Sequence, residues 1–214
     1  MKLVFSRYIH IIIFFFCTSI VFAQEGNQYI TNFSPSTYKA SDQNWSSIQD
    51  KNGVMYFANL NGVLIYNGRD WQTIQLPHEE NVTSLSLNSH NQVFIGAENE
   101  FGYLTQNKNG KFIYESLSDS VLKAKHDFSI IWATHCIDED VFFCSNEKIF
   151  RYKNQKITAF DPEKDRFHTF FNIDNHLFVR EFGVGFKIFE NDDLHFVLGS
   201  EIFADKKIYS IMPI

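Results

Sequence analysis

Between Trp45 and Leu198, short apolar-and-aromatic runs alternate with polar or glycine-containing turns at nearly even intervals. Runs of about five to seven residues, rich in Phe, Tyr, Ile and Val, carry the signature of strands and are too short for most helices. The runs group in fours. The first group reads NWSSIQ (44–49), VMYFAN (54–59), GVLIY (62–66) and WQTIQL (71–76). The second reads VTSLSL (82–87), QVFIG (92–96), FGYLTQ (101–106) and KFIYESL (111–117). The third runs FSIIWATHCI (128–137), VFFCS (141–145), KIFRY (148–152) and KITAF (156–160). The fourth runs FHTFFNI (167–173), HLFVR (176–180), VGFKIF (184–189) and LHFVL (194–198), and a further run, IYSIMPI, opens at Ile208.

Group starts near 45, 82, 129, 167 and 208 give a loose period of roughly 40 residues, which marks a repeat architecture. The longest step is absorbed by SDSVLKAKHD (118–127), read as a polar surface connection. Four short antiparallel strands per unit, repeated, predict an all-β chain of β-propeller blades at roughly 44–76, 82–117, 128–160 and 167–198, a fifth starting at 208. A β-sandwich also strings short strands together, but has no reason to repeat every fourth one. Asp50-Lys51-Asn52-Gly53, Asn61-Gly62 and Asn67-Gly68 are turn chemistry: Asp caps the backbone two residues on, and Asn-Gly accepts positive φ. Aligning the second strands places Tyr56, Phe94, Phe142 and Phe178 at one equivalent position, expected to be buried between sheets.

The first residues belong to no blade. Lys2 and Arg7 precede the apolar run Ile9–Val21, and Val21-Phe22-Ala23 offers small −3 and −1 positions. This predicts a secretory signal over 1–23, cleaved between Ala23 and Gln24, and a mature domain over 24–214 exported to the periplasmic side. The run falls short of the ~20 residues a membrane-spanning helix needs. Cys17 follows three Phe, without the small residue a lipidation site requires. Removing 1–23 takes the formal charge from −6 to −8, because both lost charges are basic. An acidic surface argues against this portion binding nucleic acid electrostatically.

Two cysteines remain, Cys136 and Cys144, about the turn at Glu139. A hairpin there sets Cys136 opposite residue 142 and only diagonal to Cys144, too far for a disulfide, so free thiols are expected. No constellation carries catalysis: the eight His fall in no metal-ligand spacing, and no G-x-S-x-G elbow is present. His135 and Cys136, adjacent on one strand, point to opposite faces and cannot chelate together. Glu98-Asn99-Glu100 and Asp138-Glu139-Asp140 read as solvated turns, Gly199-Ser200-Glu201 as an inter-blade turn, and Gly183-Val184-Gly185 as the start of a strand. No catalytic, metal or cofactor residue is assigned, and the ligand-binding residues are left open.

Residues 43–76 resemble the two-component-regulator propeller repeat of bacterial sensors: a strand with Ile48, the D-x-x-G turn Asp50 to Gly53, the aromatic strand Met55-Tyr56-Phe57, and the G-h-h-x-Y strand Gly62 to Tyr66. NEFGYL (99–104) and YESL (114–117) resemble the second blade of the triple-tyrosine-motif group of these sensors. The third and fourth units lack the D-x-x-G turn, having Asp138-Glu139-Asp140 and Asp174-Asn175. The resemblance implies a seven-bladed ring of which this is the N-terminal part. It also implies an exported signal-input domain and, downstream, a β-sandwich, a transmembrane helix and a kinase or helix-turn-helix output. Tyr29–Phe33 is then expected to pair with the last blade, and Ile208–Pro213 to open the fifth. The implied partner is an extracytoplasmic ligand, such as a glycan, or a protein. A secreted propeller enzyme acting on polysaccharide and a protein-interaction scaffold stand as alternatives.

Overall fold

The computed structural model describes residues 30–122 and 128–212. The chain divides into two compact units, Met1–Phe33 and Ser34–Ile214. Residues 1–23, read above as an export signal, lie outside the described residues, as do Tyr29 and Pro213. Of the expected strand Tyr29–Phe33, residues 30–33 hold no strand. Ser34-Pro35 instead starts a one-turn helix, α1 (Pro35–Tyr38), with proline in its first turn and Lys39 in the left-handed conformation closing it.

Sixteen strands follow among the described residues, in four antiparallel sheets of consecutive order. Sheet one holds β1 (Asn44–Gln49), β2 (Met55–Asn59), β3 (Gly62–Tyr66) and β4 (Trp71–Ile74). Sheet two holds β5 (Val82–Leu87), β6 (Val93–Ala97), β7 (Phe101–Gln106) and β8 (Phe112–Ser116). Sheet three holds β9 (Ala133–Ile137), β10 (Asp140–Cys144), β11 (Ile149–Lys153) and β12 (Lys156–Phe160). Sheet four holds β13 (Phe167–Ile173), β14 (His176–Glu181), β15 (Gly185–Glu190) and β16 (Asp193–Phe196). First strands pack against first strands, β1 on β5, β5 on β9 and β9 on β13, so the sheets are blades stacked about their inner strands.

One register rule runs through the blades. A bulge early in the first strand displaces Trp45, Thr83 and His168, after which Ser46, Ser84 and Thr169 pair with Ala58, Gly96 and Arg180. In sheet three Ala133 pairs with Cys144, and Trp132 takes the displaced place. Counting from there makes Tyr56, Phe94, Phe142 and Phe178 equivalent. The first three are buried to 2%, 2% and 1% exposure, each in a core shared with the next blade: Tyr56 with Val93 and Ile95, Phe94 with Val141 and Phe143, Phe142 with Leu177 and Val179. Phe178 is half-buried, because its face looks onto the single segment after β16 rather than onto a fifth sheet. Phe101 anchors the second joint, its ring 4.5 Å from Phe143, 5.1 Å from Phe150 and 5.4 Å from Phe128.

Hydrogen bonds lock the same joints. Thr83 Oγ1 and Ser84 Oγ both donate to the Ile131 carbonyl, at 2.7 and 3.2 Å. At the far joint Thr169 Oγ1 donates to the Ile208 carbonyl at 2.9 Å, so Ile208 sits against blade four as Ile131 sits against blade two. Residues 208–212 nevertheless hold no strand, since no second strand is there to pair with them among the described residues. The 3₁₀ turn Ser200–Phe203 precedes them, begun by Gly199 in the left-handed conformation.

Other expectations are corrected. The connection at 118–127 begins as a short helix, α2 (Ser118–Leu122), whose Ser118 and Val121 are buried, while 123–127 lie outside the described residues. Cys136 faces Val141, not residue 142, because Asp138-Glu139 makes a two-residue turn. The shift puts Cys136 and Cys144 on opposite faces of the sheet, and both are free thiols. Glu100 is no solvated turn. It is 3% exposed, and its Oε1 accepts from Tyr114 Oη (2.9 Å), Ser116 Oγ (2.9 Å), Ser118 Oγ (2.7 Å) and the Phe101 amide (2.9 Å). Burial, then the Glu100 charge beside it, pushes the Tyr114 hydroxyl far above its ordinary range, keeping it a donor.

Candidate functional site

A cleft of about 590 Å³ lies between the third and fourth blades, at the end carrying the β9–β10 and β13–β14 turns. That size falls in the range of small-ligand pockets. Its rim owes its polarity to turn geometry. Asp174-Asn175 and Asn191-Asp192 hold positive φ at both positions, as a two-residue hairpin matched to strand twist requires, and short polar side chains tolerate this best. Asp138 does the same once, beside Glu139.

On the cleft floor lies Arg151, in the middle of β11 and 8% exposed. Its Nε donates to Asp140 Oδ2 at 2.9 Å, and its Nη2 reaches Asp140 Oδ2 at 2.8 Å and Asp192 Oδ1 at 2.7 Å. The guanidinium lies over the Phe189 ring, 5.1 Å from its centroid. Lys153 Nζ completes the Asp140 carboxylate at 3.2 Å. Burial works against the Arg151 charge, but the hydrogen bonds and charges of Asp140 and Asp192 outweigh it and raise its pKa. Asp140, expected in a solvated turn, is therefore half-buried and held by two cations, with a side chain 15% exposed against 76% for Asp192.

Asp192 belongs to blade four and Arg151 to blade three, so this pair bridges the joint. An exposed carboxylate, a buried cation and an aromatic ring within one cleft, with His176, Asn175 and Glu190 on the rim, suit a ligand rich in hydroxyl groups. Among the described residues no group of His, Cys, Asp or Glu is arranged to hold a metal ion. Of the residues singled out in the sequence, Asp138, Glu139 and Asp140 line the cleft, while Glu98 and Glu100 do not. His135 is remote in role: it lies near Phe170 of blade four, and burial lowers its pKa. Arg151 was missed by sequence reasoning. Its signal is a charge inside the run KIFRY, flanked by Phe150 and Tyr152.

No protein-family model matches the chain, and no curated protein matches it. Solved structures do. Virginiamycin B lyase from Staphylococcus aureus superposes with a TM-score of 0.53 at 16% identity, over 73% of this chain and 57% of the lyase. The extracellular domain of a putative hybrid two-component system from B. thetaiotaomicron superposes with a TM-score of 0.53 at 17% identity, over 74% of this chain and 21% of that one. A second such extracellular domain from B. thetaiotaomicron gives 0.51 at 10% identity, over 68% and 21%. The chain thus spans just over half of the lyase and about a fifth of the sensor domains. At these identities the likeness is one of fold: four four-stranded antiparallel sheets arranged as β-propeller blades.

Proposed function

We propose that the blades are the ligand-receiving part of an extracytoplasmic sensor, and that the cleft between blades three and four receives a polyhydroxylated ligand such as a glycan. The observation that carries this reading is the Arg151–Asp192 bridge, because a ligand that engages Asp192 acts directly on the joint between two blades. The superposition with extracellular domains of two-component systems supports it, as does the blade-one pattern Asp50 to Gly53 followed by Gly62 to Tyr66. In such an arrangement the ligand is bound and not turned over, and the change at the joint is relayed to a membrane-spanning part with a kinase or helix-turn-helix output.

An enzyme reading is favoured by one specific observation, the equal TM-score with virginiamycin B lyase. Isothermal titration of the purified chain against a panel of neutral oligosaccharides, with the ligand recovered and analysed afterwards, separates the two. Saturable binding with the ligand returned intact is the expected result, weakened at least about tenfold by Asp192→Ala, a side chain exposed enough to leave the fold intact. A ligand returned cleaved would establish the enzyme. Binding unaffected by Asp192→Ala removes the cleft from the account.

A further inference from the structure

The fourth blade breaks the repeat at one place. The residue paired with the first position after the bulge is Ala58 in blade one, Gly96 in blade two and Cys144 in blade three. Small size there is required by the next blade: a Cβ added at Gly96 would overlap Ile131, Ser84 and Thr134. In blade four the same position holds Arg180, paired with Thr169. An entire guanidinium occupies the slot, yet Arg180 is 0% exposed.

That guanidinium is under-satisfied. Nη2 donates to the Ala204 and Phe203 carbonyls at 2.6 and 3.3 Å, and the Phe182 ring lies 3.7 Å from Cζ. Nε and Nη1 are buried with no hydrogen-bond partner. Among the described residues no carboxylate lies within ion-pair distance of Arg180, although Asp205 is close enough to be felt. The adjacent Glu181 points to the other face, where it is taken by Lys187 at 2.9 Å. An arginine does not escape burial by losing its proton, so an unpaired one weighs against the folded state.

The surroundings are cationic, and the unpartnered donors are buried. Arg166 lies 5.1 Å from the same Phe182 ring, and the His168 ring packs on it edge-on at 4.9 Å. His168 Nδ1 is also buried without a partner. Arg180, Lys207 and Arg166 all act on His168 electrostatically. Tyr209, 71% exposed, closes over His168 at 5.3 Å.

We propose that this slot of the fourth blade is an oxyanion site, in which a carboxylate, sulfate or phosphate group accepts from Arg180 Nε and Nη1 with His168 Nδ1 beside them. The 203–209 segment covers these atoms, held to the blade by Arg180, by the Gly183 amide on Ala204 O at 3.1 Å and by Thr169 on Ile208 O, so an anion reaches them only when that segment lifts. The site is separate from the cleft between blades three and four and does not depend on the sensor reading.

The test uses the complete chain and follows thermal unfolding in sodium acetate, sodium sulfate and sodium phosphate against sodium chloride at equal ionic strength. Wild type is compared with Arg180→Met and with Arg69→Met, a change at an exposed arginine. At least one oxyanion is expected to raise the midpoint of wild type and Arg69→Met by about 5 °C or more, at 100-fold excess over its dissociation constant, beyond the general salt effect it has on Arg180→Met. Which salt acts tells a carboxylate site from a sulfate or phosphate site. An equal rise in Arg180→Met, or no rise in wild type with any of the three, overturns the proposal. Should Arg180→Met fail to fold, equilibrium dialysis of wild type with radiolabelled acetate, sulfate and phosphate decides alone. Saturable binding of one anion per chain supports the site, and no binding overturns it.

Discussion

Single residues in this chain matter through what the neighbouring blade does to them. Phe94 is 2% exposed and meets rings from its own blade and the next, Tyr103 at 5.9 Å, Tyr152 at 6.2 Å and Phe143 at 6.3 Å. Phe94→Ala is expected to cost about 3–5 kcal/mol in urea unfolding, because a dense ring cluster cannot collapse into the void. Two histidines predict a pH dependence. Burial lowers the pKa of His135, and burial with the charges of Arg180, Lys207 and Arg166 lowers that of His168, each below the ordinary 6.5. The unfolded chain then binds more protons than the folded one below pH 6.5, so stability is complete above that value and falls as the pH drops through it. Urea midpoints measured from pH 7.5 to 5 should fall, and the slope should be shallower in His135→Asn. A flat profile in wild type would contradict the burial of both rings. The burial of Phe94 was legible from the alignment of the second strands; that of His135, His168, Glu100 and Arg180 was not. Glu100 and Arg180 sit in strings that read as turn and strand edge, and only the stacking of separate repeats puts them inside.

At the scale of strands and turns far more was legible, because local chemistry decides there. Asp50 accepts from the Asn52 and Val54 amides at 2.8 and 2.9 Å, as the D-x-x-G turn requires. All sixteen strands fall within the apolar runs of the sequence, give or take a residue or two. The bulges were not legible, since Trp45, Thr83 and His168 continue their runs without any break in composition. The register of the β9–β10 hairpin was missed by one residue for a related reason: Asp138-Glu139-Asp140 offers two placements of a tight turn, and side-chain type does not choose between them. Glycines give a graded test. Gly62 holds φ +122, and an added Cβ would overlap the Ile74 carbonyl, whereas Gly68 holds φ +90 with open space around it. Gly62→Ala is expected to destabilise by about 2 kcal/mol or more and Gly68→Ala by about 1 kcal/mol, read from thermal or urea unfolding. Equal losses would mean that backbone conformation alone, and not the close approach of β4, fixes Gly62.

At the scale of the stacked blades, each sheet is stabilised mainly by the sheet on either side, so the two outer faces of the stack decide how these residues behave when isolated. On the first blade Phe57, Tyr66 and Trp71 cluster with Tyr38 of α1, with ring separations of 4.4 to 5.9 Å to Trp71. That is a cap of one helical turn where a sheet stands at the other joints. On the fourth blade Phe171 and Phe178 are half-buried, and the 200–209 segment supplies Phe203 against Phe186 at 5.7 Å in place of a sheet. The outer strand β16 is mostly exposed, with Phe196 at 43% and Leu198 beyond it at 93%. Aromatic faces and free strand edges of this kind are what association between copies consumes. Residues 34–212, expressed alone, are therefore expected to self-associate over about 10–500 μM, with a light-scattering mass that climbs with concentration. Phe178→Lys should lower that mass, since Phe178 faces outward from the fourth blade, while a surface change such as Lys108→Glu should not. A monomer at every concentration, cooperative in unfolding, would show that α1 and the 200–209 segment seal the stack by themselves, and the half-burial of Phe178 would then be enough for a closed domain.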